Sequence, residues 1–181
     1  TNSNLFGIRN MEKLIVFICN GNIHRSVIAA ESLRQILKKR KLDQKFFIDS
    51  YGLQGTKGTD LPKHKHLSEY PKEWKATKPV LQKLGIDISE HSFQKISRTV
   101  IKKAGVVIAM DDKVYSIAKN SLVNQFPNYA DKIHRFSELT TQNRVIKDPD
   151  GSGSKKLHKK IIEDIHSTLL KKYKNILEWI E

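Results

Sequence analysis

Between Lys13 and Ile18 (KLIVFI) the positions after the first are all apolar and mostly β-branched or aromatic, the pattern of a strand buried on both faces. From Arg25 to Lys39 the period changes, and Ile28, Ala29, Leu33, Ile36 and Leu37 recur at helical spacing. A second strand is expected at Lys45 to Ser50, and a stretch rich in Gly, Lys and His from Gly52 to Tyr70 reads as loop. Lys72 to Leu84 predicts a helix that Gly85 ends. Val106 to Met110 (VVIAM) repeats the buried-strand pattern, Asp112 to Lys119 predicts a helix, and Lys132 to Phe136 an edge strand. After a polar loop from Asn143 to Ser154, one apolar stripe from Ile161 to Ile180 predicts a long amphipathic helix over Lys155 to Ile180.

Strands and helices alternate, so the fold class is α/β with a mostly parallel sheet. The 181 residues suit one domain with a real core. Residues 1–10 (TNSNLFGIRN) lack an apolar run and read as a flexible leader, with Met11 a candidate natural start and the domain expected over 11–181. The longest apolar run is far too short to cross a membrane, so no membrane insertion is expected. One cysteine excludes an internal disulfide framework and points to a reducing, cytoplasmic setting. The net charge of +14 comes from 33 Lys and Arg against 19 Asp and Glu. The basic runs are scattered and carry no interleaved aromatics, so solvated helix faces explain them better than a nucleic-acid surface.

The chemistry concentrates in Val16 to Ser26, VFICNGNIHRS. A strand ends at Cys19, five residues follow, and Arg25 and Ser26 open a helix. A tight loop at this junction turns backbone N–H groups inward, and with the helix N-terminus they form an anion-binding nest. Gly21 and Asn22 are residue types that tolerate a left-handed backbone. Arg25 supplies a planar fork for two phosphate oxygens. Cys19 then sits at the floor, where a helix N-terminus and a guanidinium favour the nucleophilic thiolate, and the Ser26 hydroxyl is placed to donate to the sulfur. Taken alone, Asp148-Pro149 is a turn initiator, and Ser50 and His91 are ordinary polar residues near element ends. His64 and His66 have no acidic or cysteine partner nearby, so no metal is expected.

The segment C-x-G-N-I-x-R-S between strand and helix resembles the low-molecular-weight protein tyrosine phosphatases. The resemblance runs on through Phe47–Gly52 (FIDSYG), Gly85–His91 (GIDISEH), Val106–Asp111 (VVIAMD) and Asp148-Pro149, in the family's order. It implies a single domain with a four-stranded parallel sheet flanked by helices and a phosphate-binding loop after the first strand. It implies hydrolysis of a phosphotyrosine-containing protein or small phosphomonoester through a phosphocysteine. The implied catalytic residues are Cys19, Arg25 and Asp148, the last as proton donor. Asn20, Gly21, Asn22, Ile23, His24 and Ser26 are implied to bind substrate, with Ser50 and His91 supporting the loop. The resemblance implies no cofactor and fixes no oligomeric state.

Several positions depart from the family pattern. His24 stands where many members have a second cysteine, Val27 where proline is usual, and Asp150 where a tyrosine walls the substrate pocket. No aromatic residue stands near Thr56, where the family often has one, and Thr59–Trp74 is long, which makes Tyr70 and Trp74 candidate replacements. Protein arginine phosphatases, which resemble this family, favour Thr at the position of Ile23, so the apolar residue points to tyrosine phosphate. An arsenate reductase on this fold would need further cysteines, which the chain lacks. A phosphate-binding module without turnover would not need Cys19, Arg25 and Asp148 together.

Overall fold

The computed structural model describes residues 13–181, so the expected leader at 1–10 and Met11 lie outside the described residues. Four strands, β1 (Leu14–Cys19), β2 (Phe47–Gly52), β3 (Val106–Ala109) and β4 (Ile133–Arg135), form one sheet in the order β2-β1-β3-β4. Every pairing is parallel. The helices are α1 (Arg25–Lys39), α2 (Pro71–Leu84), α3 (Arg98–Lys103), α4 (Leu122–Gln125) and α5 (Lys155–Glu178).

β1 is central, and its pleat sends alternate residues to opposite faces. Ile15 and Phe17 join Ile28, Leu33 and Ile36 of α1 and Ile162, Ile165 and Leu169 of α5 in one core layer. Val16 and Ile18 join Val107, Ile101, Leu122 and Phe126 in the other. Full burial of Phe17 stabilises the fold by roughly 1.5–3 kcal/mol, and the same holds for each large residue of these layers. α5 packs on both α1 and α2. The two neighbours of β1 are reached in opposite directions, so a crevice opens at its carboxyl end, the place where parallel sheets bind ligands.

Four expectations need correction. β2 runs from Phe47 to Gly52 rather than Lys45 to Ser50, because its ladder begins opposite Leu14 and carries on until Gly52 meets Cys19. The helix expected at Asp112–Lys119 is one π-helical turn, Lys113–Ile117. Its Ile117 is exposed, so the apolar positions there never shared a face. The Gly52–Tyr70 loop contains a 3₁₀ turn at Leu67–Glu69, capped by His66. The short α3, capped by the Ser97 hydroxyl, the four-residue α4 and the 3₁₀ turn Pro127–Lys132 stand where no element was expected. Elsewhere the bounds agree closely, including α2, which runs through Pro79 and ends on Gly85 at φ 68°.

Candidate active site

The loop from Cys19 to Arg25 joins β1 to α1 at the crevice. α1 begins without a side-chain cap and has no acidic residue in its first turn, which leaves its amide end open to an anion. Among the described residues the amides of Gly21, Ile23 and His24 make no hydrogen bond within the protein. Asn22, rather than Gly21, takes the left-handed conformation, with φ 50°. Gly52 is needed for a close approach. A Cβ there would lie 2.9 Å from both the Asn20 carbonyl oxygen and the Asn22 Cβ, so only glycine lets β2 come up against the loop.

Cys19 is 4% exposed. Its Sγ lies 3.0 Å from Ser26 Oγ and accepts from the Asn22 amide at 3.2 Å. Asn22 Nδ2 donates to Ser26 Oγ at 3.1 Å and to Ser50 Oγ at 3.0 Å. Because Ser26 Oγ accepts from Asn22, its own proton is free for the sulfur. His91 Nε2 donates to the Asn22 carbonyl at 2.7 Å, and the Gln94 amide donates to Asn22 Oδ1 at 2.8 Å. Burial pushes His91 below the ordinary histidine range, although its bond to Asn22 opposes this. Asn22 is thus the hub that ties together Cys19, Ser26, Ser50 and His91. Gln94 belongs to the same network through bonds to Asp49 and the Ser50 carbonyl.

Arg25 closes the ring. Nη1 pairs with Asp111 Oδ2 at 2.7 Å and donates to the Ile146 carbonyl at 3.1 Å. Nη2 pairs with Asp148 Oδ2 at 2.8 Å. Burial alone would lower the Arg25 pKa, but charge on Cys19, Asp148 and Asp111 outweighs it and holds the guanidinium above its ordinary value. Asp111 is a site residue that sequence reasoning did not single out. An acid at the carboxyl end of a buried strand was the available signal.

A cavity of about 330 Å³ opens over Cys19. Asn20, Gly21, Ile23 and His24 line it, facing Gln54, Tyr70, Glu73 and residues 148–151. Tyr70 is therefore at the pocket, its hydroxyl held by the His64 backbone. Trp74 is outside it and packs against the core. Thr56 is buried and bonded to Leu53, Asn120 and Gln125, so it forms no pocket wall. Glu73, 8% exposed, was also missed from sequence. Burial raises its pKa above the carboxylate norm, and Asp148 and Asp150 push the same way against His158. The cavity carries no lysine, so the surplus of basic residues does not line it. His24 turns its Nε2 away to His158 Nδ1 at 2.9 Å.

A family model described as low molecular weight phosphotyrosine protein phosphatase matches residues 14–178. A probable low molecular weight protein-tyrosine-phosphatase, EpsP, from Ralstonia nicotianae is 29% identical over 129 residues, 71% of this chain and 74% of that protein. Among solved structures, a low molecular weight protein tyrosine phosphatase from T. tengcongensis aligns with a TM-score of 0.67 at 25% identity, over 90% of this chain and 98% of that one. The YwlE arginine phosphatase aligns with a TM-score of 0.69 at 22% identity, over 93% of this chain and 99% of that one. YwlE is a Bacillus subtilis protein.

Proposed function

The chain belongs to the low molecular weight phosphotyrosine protein phosphatase family, and we propose that it hydrolyses phosphotyrosine monoesters through a phosphocysteine on Cys19. The observation that carries this reading is the sulfur at the floor of the nest, 3.0 Å from a hydroxyl whose proton is free and 3.2 Å from a loop amide. The Cys19 thiolate attacks phosphorus in line. The S–P bond forms as the P–O bond to the aryl oxygen breaks. Loop amides and Arg25 hold the equatorial oxygens, which in this state requires Asp148 to release Nη2. Phenolate, the base of an acid with a pKa of ~10, needs a proton, and Asp148 gives it. Asp148 then takes a proton from the attacking water, the S–P bond breaks, and phosphate leaves with the thiolate restored.

Tyr70 and Ile23 border the cavity and supply apolar surface for an aryl ring in place of the family's usual aromatic walls. Ile23 also favours tyrosine over arginine phosphate. The substrate is a phosphotyrosine protein or a small aryl phosphate. The free thiol suits a reducing cytoplasm, and no helix among the described residues is long and apolar enough to cross a membrane. The test is turnover of p-nitrophenyl phosphate with burst kinetics. Wild type should show a burst of phenol release, whereas Cys19→Ser should lose turnover by several orders of magnitude and still bind vanadate. Activity that survives in Cys19→Ser would defeat the reading.

A further inference from the structure

We propose that His158, acting through His24 and Ser152, is a positioning residue that keeps the Asp148 loop seated over the phosphate loop when Arg25 turns to phosphate. The proposal rests on the phosphatase reading above. His158 lies in the first turn of α5 and is fully buried. Its ring bridges two loops. Nδ1 meets His24 Nε2 of the phosphate loop at 2.9 Å, and Nε2 is bonded to the carbonyl of Ser152, four residues after Asp148.

The protons in this chain can be assigned. A carbonyl only accepts, so His158 Nε2 carries a hydrogen and donates to Ser152. When the His158 ring carries one hydrogen, its Nδ1 accepts and His24 Nε2 supplies the hydrogen between the rings. His24 Nδ1 is left as a bare acceptor, and it is a buried nitrogen with no partner among the described residues. Burial, with His158 and Arg25 adding to it, pushes His24 down to about 3, so the His24 ring is neutral. An unpaired buried acceptor is costly, so a geometry that keeps one is held by the other bonds.

The reaction cycle explains why this strut matters. Beyond this strut and Arg25, the Asp148 loop is held by the buried Pro149 and by the Ser154 amide donating to Ser152 Oγ, neither of which reaches the phosphate loop through a hydrogen bond. Asp148 is 53% exposed on its side chain, and Asp150 and Gly151 both take positive φ. Within the loop, the Asp150 amide donates to Asp148 Oδ1 and the Ser152 amide to the Pro149 carbonyl, but these bonds only shape the turn. The link from Asp148 to the phosphate loop is its ion pair with Arg25, and phosphate competes for that guanidinium. Once Arg25 lets go, Ser152–His158–His24 remains as the side-chain path that fixes one loop against the other. It is therefore needed when Asp148 must hold its proton near the leaving oxygen.

The experiment is a series of aryl phosphates with leaving groups from good to poor. His158→Leu should lose about 100-fold in kcat/KM, which reports only the transfer to Cys19, on phenyl phosphate and less than about threefold on dinitrophenyl phosphate, because proton donation contributes roughly 10²–10⁴ only where it is needed. Vanadate should bind within about threefold of wild type. Adding His158→Leu to Asp148→Asn should cost nothing further, since both remove the same step. Equal slowing on all leaving groups, or additive losses in the double variant, would overturn the proposal and leave His158 a packing residue. If His158→Leu does not fold, His158→Asn, which keeps a polar atom for His24 but cannot reach the Ser152 carbonyl, cuts the same strut and must give the same selective loss. A wild type without turnover would sink the phosphatase reading itself, whereas an active wild type with an unchanged leaving-group trend in the variants sinks only this inference.

Discussion

Residues 19–26 and residues 147–153 face each other across Arg25, and they are held in different ways. In the first segment Asn22, His24, Arg25 and Ser26 are all buried, and Asn22 alone bonds to five other residues. In the second, most residues are exposed, two consecutive residues take positive φ, and among the described residues the ties to the rest of the molecule are the Arg25 ion pair, the Ser152–His158 bond, the Ser154 amide to Ser152 Oγ and the buried Pro149. The difference matches two chemical roles. Stabilising charge on phosphoryl oxygens needs donors fixed before substrate arrives. Donating a proton and then accepting one needs a carboxyl that can part from Arg25 and reach solvent.

Arg25→Ala tests the shared element and should have the largest effect. It removes the fork that both segments use and strands Asp111, an acid already 14% exposed, without its partner. Turnover should fall by several orders of magnitude and vanadate binding should be lost with it. Retained vanadate affinity would mean that the loop amides alone hold the anion.

Next, the contrast between the segments is tested by Asp148→Asn beside Asn22→Ala. Asp148→Asn should cost roughly 10²–10⁴ in kcat/KM on poor leaving groups, little in kcat/KM on good ones, and no stability, while kcat falls for both because the same carboxylate serves as base in the second step. Asn22→Ala should slow every substrate alike. It should also lower stability by about 2–3 kcal/mol, because the Ser50 hydroxyl and the Gln94 amide lose buried partners. That loss corresponds to a melting temperature lower by roughly 5–10 °C for a chain of this size. An Asn22→Ala variant with normal stability and selective loss on poor leaving groups would erase the distinction between the segments.

The cysteine segment was legible because its chemistry is local: strand, spacing, arginine and helix follow one another within VFICNGNIHRS. The family motifs further along then marked Ser50, His91 and Asp148. Asp111, Gln94, Glu73 and His158 were not singled out, and each reaches the site only through tertiary packing. His158 is one histidine on a helix whose neighbours Ile161 and Ile162 are core, and nothing local separates it from a satisfied core polar residue. The choice between Tyr70 and Trp74 was also out of reach, because both lie at the start of one helix and the loop path decides which faces the cavity. The structure turns that choice into an experiment with a smaller expected effect. Tyr70→Leu should raise KM for phosphotyrosine peptides a few-fold with little change in melting temperature. Trp74→Ala should lower the melting temperature and leave kcat/KM alone, and a reversed pair of results would make Trp74 the pocket wall.

The remaining expected effect concerns His24 and pH and leaves turnover aside. Its pKa falls from 6.5 in the unfolded chain to about 3 in the folded one, with burial as the first cause and His158 and Arg25 next. The native state therefore binds fewer protons than the unfolded state between these values, and stability rises with pH. His24's contribution is fully present above about pH 6.5 and is lost progressively as pH falls toward 3. Between about pH 7.5 and 5 the loss amounts to about 2 kcal/mol. His91 and His166, both lowered mainly by burial, act in the same direction. Glu73 has the opposite sign, since its raised pKa favours the folded state at low pH, and it faces the same cavity. Urea unfolding across this range separates them. His24→Leu should flatten most of the slope, because it removes the most strongly shifted imidazole while leaving Glu73, His91 and His166 in place. An unchanged slope in His24→Leu would mean that His24 titrates normally in the folded protein and is not held as a neutral, buried link between the phosphate loop and α5.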